Sequence, residues 1–111
     1  MKTNGRYILK GKKPVPCADL MEWARAMESQ NRHVAKTKGP GCKISTVFLG
    51  LDHSFGEGKP LLFETMVFGG KFDQETNRYS TWDEAEAGHI EMCIKFLGLD
   101  GVLLIWDDEK V

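Results

Sequence analysis

Three side chains in this sequence are of types that could do chemistry together. His53 directly follows Asp52, and a histidine beside a carboxylate is oriented and made more basic, which general-base catalysis or metal ligation would use. Glu64 interrupts the apolar set Leu62, Met66 and Phe68 at two-residue spacing. A carboxylate on a covered face has to be paired, protonated or at the rim of a pocket. His89 shares a helical stripe with Trp82, Ala85, Cys93 and Phe96, and the neighbouring Gly88 costs such a helix roughly 1 kcal/mol relative to Ala, which suggests that something packs close. Brought together, His53, Glu64 and His89 would make a two-histidine, one-carboxylate set for a divalent metal, and with it a small metal-dependent hydrolase or nuclease. No local spacing joins them, and each has a plainer reading. His53 is then an exposed loop residue, Glu64 the partner of a lysine or arginine from the N-terminal half, and His89 a hydrogen-bonded histidine at the edge of the core.

Other chemistries lack their settings. The glycines of "GEG" and "GG" have no strand-turn-helix context with a lysine, so no phosphate-cradling loop is present. Ser54 and Ser80 have no nucleophile elbow around them. Cys17, Cys42 and Cys93 are odd in number and widely spaced, which fits reduced thiols better than a disulfide framework or a zinc knuckle. The catalytic set is incomplete, so a non-enzymatic binding module is favoured, with no cofactor. Its binding loop would be the segment between two apolar runs that carries Asp52, His53, Phe55 and Glu57. Asp52, Gly56, Gly58 and Pro60 are also what an ordinary strand connection contains.

The elements that must position these residues follow from periodicity. Arg6 to Leu9 reads as a short strand ended by the turn material "GKKPVP". Leu20, Trp23, Ala24 and Met27 fall at i, i+3, i+4 and i+7, predicting an amphipathic helix from about Ala18 to Gln30. Arg32 to Lys38 and Cys42 to Gly50 flank "GPG" and predict a hairpin. Leu61 to Phe68 is apolar on both faces, Gly69 to Tyr79 reads as a polar loop, and Thr81 with Glu84 has the form of a capping box opening a helix to about Leu97. Gly98 follows as a helix-ending glycine, and Val102 to Trp106 reads as a last buried strand. The expected fold is α+β: one domain over residues 1–111, a mostly antiparallel sheet in the order β-α-β-β-β-α-β, and two helices on one face.

With 111 residues, 41% of them hydrophobic and 28% charged, the chain has the composition of an ordinary globule. No apolar run approaches the ~20 residues of a spanning helix, and the charged first residues lack the apolar core of a leader, so a cytoplasmic location and no membrane partner are expected. The formal net charge of −1 hides an asymmetry. Residues 1–43 carry ten Lys/Arg against three Asp/Glu, and the remainder five against thirteen. In one small domain those charges are expected to answer each other across the fold. Arg32, Lys36, Lys38 and Lys43 gather on the hairpin with only His33 to stack on a base, so nucleic acid is not indicated. Two strands apolar on both faces, with helices on one side only, predict a homodimer that covers the open side. The competing expectation is that the loops fold back over it through Phe55 and Phe72.

The stretches "STVFLGLDHSFG", "PLLFETMVFGG" and "RYSTWDEAEAGH", between Ser45 and His89, together with "PVPCADLMEWARAME", resemble a family of small uncharacterised proteins encoded by bacteriophages and prophages. The resemblance implies a phage origin, a bacterial host cytoplasm and a compact domain. It also implies action by binding, as an inhibitor of a host enzyme or of host defence.

Overall fold

The computed structural model describes the backbone of residues 5–54 and 58–105, and side chains as far as residue 98. The fold is α+β, with an antiparallel two-stranded and an antiparallel four-stranded sheet. Its element order differs from the expected one at three places. The chain runs β1 (Tyr7–Lys10), β2 (Lys13–Pro16), α1 (Leu20–Ser29), β3 (His33–Gly39), β4 (Cys42–Phe48), β5 (Phe63–Phe68), β6 (Thr76–Tyr79) and α2 (Trp82–Ile105).

The first difference is β2, formed by the residues read as turn material. Gly11, at φ 65°, lets the chain reverse within two residues, and Lys13–Pro16 then pairs back along β1. Its two prolines donate no backbone hydrogen bond, which is tolerable because the strand has only one neighbour. The second is β6, whose Thr76, Asn77 and Arg78 are polar because they are exposed, while Tyr79 enters the core. The third is the C-terminal run. Gly98 leaves helical geometry (φ 81°, ψ 163°), so it ends the first helical segment as the sequence suggests, but the chain then resumes a helix through Ile105 instead of forming a strand. Val102–Trp106 is therefore not a sheet element as far as it is described, and Trp106 lies outside the described residues. A run of five apolar residues satisfies a buried strand and a buried helix equally well.

The predicted local signals account for the rest. Asp19 caps α1, accepting from Met21 N at 2.9 Å and Glu22 N at 3.0 Å. The Glu84 carboxylate accepts from Ser80 N and Thr81 N while Glu84 N donates to Thr81 Oγ1, completing the capping box of α2. Pro40 and Gly41 make the two-residue β3–β4 turn, with Gly41 at φ 77°.

The four-stranded sheet is a meander in the order β3-β4-β5-β6, and α2 packs across all four strands on one face. Phe48, Phe63, Leu62, Tyr79 and Ala85, joined by Leu9 from β1, form one core cluster; Ile44, Val67, Met92 and Cys93 form the other. The first helix packs mainly against β1, and its Met27 reaches the core cluster that holds Phe48 and Phe63. The Gln30 side chain exchanges two hydrogen bonds with the Leu9 backbone, and Trp23 Nε1 donates to the Gly50 carbonyl at 3.0 Å, so α1 and the small hairpin close the Phe48 end of the sheet. No described helix is long and apolar enough to cross a membrane.

Candidate functional site

His89 is fully buried between α2 and the sheet. Its Nε2 lies 2.8 Å from Thr37 Oγ1 and its Nδ1 2.7 Å from Thr46 Oγ1, and Thr46 is in turn hydrogen-bonded to Thr65 Oγ1. Strand alternation supplies the three hydroxyls, since Thr37, Thr46 and Thr65 all project toward α2. Burial pushes the imidazole pKa down to about 4, so His89 is neutral at pH 7 and shares one ring proton with two hydroxyl partners. Beside it, burial raises the Cys93 thiol. Gly88 has the close neighbour that the sequence suggests: the Tyr79 ring lies where its Cβ would be.

Glu64 is on the other side of the same sheet. Its Oε2 accepts from Arg78 Nε at 3.0 Å, directly across the β5–β6 ladder. A cation is the expected partner, but it comes from β6 and not from the basic N-terminal half. Both partners of this ion pair belong to the acidic C-terminal half of the chain.

Asp52 and His53 lie where the β4–β5 connection leaves the sheet. Asp52 Oδ1 accepts from Ser54 N at 2.8 Å and Leu61 N at 2.9 Å, and His53 Nδ1 donates to the Leu51 carbonyl at 2.9 Å. Partial desolvation raises the Asp52 carboxyl, but hydrogen bonds from Ser54 and Leu61 outweigh it and leave it below the usual carboxylate range. Both side chains are engaged in closing their own loop. Phe55 and Glu57, the other members of the expected binding loop, lie outside the described residues. The structure does not bring His53, Glu64 and His89 together: His89 and Glu64 project from opposite faces of one sheet. Among the described residues no three His, Cys, Asp or Glu side chains are grouped to hold a metal ion.

The face of the sheet that carries Glu64 has the larger continuous array. Register places its side chains in three rows: Lys38, Lys43 and Phe68; then Lys36, Ser45, Met66 and Thr76; then His33, Val47, Glu64 and Arg78. Lys38 and Lys43 are directly opposed, an arrangement that disfavours the bare sheet. Lys43 Nζ sits 5.3 Å from the Phe68 ring, and Phe68 is 44% exposed. Partial burial and the charges of Lys36, Arg32 and Lys43 lower the His33 pKa. Phe72, one of the rings expected to fold over this face, instead packs on Phe96 of α2 at 4.7 Å between centroids. Sequence reading found the hairpin lysines but missed Arg78 and Phe68 as their neighbours. The parity of Glu64, Met66 and Phe68 was the available signal.

A second basic patch surrounds Trp82, where the β1–β2 turn brings Lys10, Lys12 and Lys13 together and Lys12 Nζ lies 5.6 Å from the ring. The N-terminus of α2 beside it is already capped by Thr81, whose Oγ1 accepts from Glu84 N.

No protein-family model matches the chain, and neither does a curated protein or a solved structure.

Proposed function

We propose that this protein is a non-enzymatic, phage-encoded binding module that docks on a protein of its host through the face of the four-stranded sheet opposite α2, which no described element covers. The observation that carries this reading is the three-row array itself. It combines Lys36, Lys38, Lys43 and Arg78 with the apolar Val47, Met66 and Phe68, and among the described residues Glu64 is its one carboxylate. Apolar centres with arginine or aromatic anchors and polar rims are what protein interfaces use. The most chemically capable side chain, His89, is sealed under α2 and occupied by threonines, which supports binding over catalysis. Nucleic acid fits less well, because among the described residues the face offers His33 and Phe68 alone as rings, at opposite corners of the array.

The test is capture from a bacterial lysate by the protein and by its Phe68→Asp variant, with lysine cross-linking. The expected result is a host protein held by the wild type, cross-linked through Lys36, Lys38 or Lys43, and lost by the variant while its melting temperature is unchanged. Equal capture by both, or cross-links confined to other surfaces, would overturn it.

A further inference from the structure

The outer surface of α2 is the chemical complement of the open sheet face. Ile90 and Ile94, one helical turn apart, are 40% and 44% exposed, which is unusual for isoleucine on a helix that already buries Ala85, His89, Met92 and Cys93. Asp83, Glu86 and Glu91 flank them, all exposed, and the one described cation beside them, Lys95, lies 5.2 Å from the Phe96 ring at the edge of this surface. Residues four apart on a helix repeat at about 6 Å, and residues two apart on a strand at about 6.8 Å. An Ile90/Ile94 ridge therefore matches Met66 and Phe68 in spacing while its carboxylates meet Lys36, Lys38 and Lys43. A sheet-on-sheet pair of identical copies would instead set these lysines against themselves. The two surfaces lie on opposite sides of the molecule, so a copy cannot satisfy one with the other.

We infer that the open sheet face receives the outer face of α2 from a second copy of the chain, in a head-to-tail contact. Such a contact does not close after two copies but adds them successively. Its area is limited by a sheet three rows deep, so association is weak and driven by charge. It goes beyond the host-binding reading and uses the same face, so self-docking and capture of a host protein exclude one another.

Sedimentation of the full chain tests this at about 20–500 µM in low salt and in about 0.5 M NaCl, where exposed charges are screened within a few ångströms. The expected result is an average mass above 12.5 kDa that grows with concentration at low salt and returns to that value at high salt. The sheet variant Lys38→Glu/Lys43→Glu and the helix variant Glu86→Lys/Glu91→Lys should each remain monomeric alone, and their mixture should associate again. All four positions already carry charged side chains, and circular dichroism checks that each variant is folded. A monomer at every concentration in low salt would overturn the inference. So would undiminished association of the helix variant alone, which is the behaviour of a sheet-on-sheet pair. Neither result depends on a host protein, so the binding reading is judged separately by capture.

Discussion

The ring of Tyr79 occupies the space into which a side chain at Gly88 would project. A methyl group there would overlap the ring, and Tyr79 cannot retreat because it is buried in the cluster of Phe48, Phe63 and Leu62. Gly88→Ala should therefore destabilise the protein by about 1–3 kcal/mol in urea unfolding, although alanine is the better helix former by roughly 1 kcal/mol. In a Tyr79→Ala background the same change should be neutral or stabilising. An additive pair of effects would show that the contact is not the cause.

Acid should weaken the fold through His89. A base whose pKa falls from 6.5 to about 4 on folding binds fewer protons folded than unfolded. Its contribution is complete above pH 6.5 and is lost as pH falls toward 4, in total roughly 3 kcal/mol. Urea unfolding at pH 7, 5.5 and 4.5 should show this slope, and His89→Phe should flatten it while costing stability at pH 7 by taking one buried hydrogen-bond partner from each of Thr37 and Thr46. An imidazole titration midpoint near 6.5 by NMR would refute the assignment.

Asp52 and His53, adjacent in sequence, should behave differently. Asp52→Ala removes the acceptor of two backbone N–H groups and should cost about 1–3 kcal/mol, partly restored by Asn. His53→Ala, which loses one half-exposed hydrogen bond, should change stability by less than about 1 kcal/mol. Because the folded Asp52 pKa lies below 3.8, its share of stability persists above that pH and is lost below it. Comparable losses from the two substitutions at pH 7 would contradict this division.

The lysine rows should not bind duplex DNA. Fluorescence anisotropy with a random 20-base-pair duplex should show no micromolar complex at physiological salt. Binding whose log-log salt slope is about −0.9 for each phosphate neutralised by Lys36, Lys38, Lys43 and Arg78 would overturn the protein-docking assignment of this face.

Elements with a local chemical signature could be read from the sequence. Apolar spacing marked α1, Pro40-Gly41 marked the β3–β4 hairpin, Thr81 and Glu84 marked the start of α2, and Gly98 marked its interruption. What escaped depends on neighbours. β2 is strand-like only because β1 lies beside it, β6 is polar because both its faces are largely wet, and Val102–Ile105 carries no period to separate helix from strand. The candidate triad failed for a topological reason. Glu64 and Thr65 are consecutive, so one faces Arg78 and the other belongs to the hydroxyl network under His89, and no loop rearrangement can put Glu64 and His89 on one side.

The register shift between His33 and Ala35 bears on the rim of the sheet rather than its face. β3 is one outer strand, and it combines that bulge with Lys36 and Lys38; the other, β6, is four residues long and almost wholly polar. Free strand rims template the addition of further strands, and bulges, lysines and short length are what blunt them. Growth by strand addition into fibrils is thus obstructed at both ends, and concentrated solutions should remain free of cross-β material even where molecules stack through their broad surfaces.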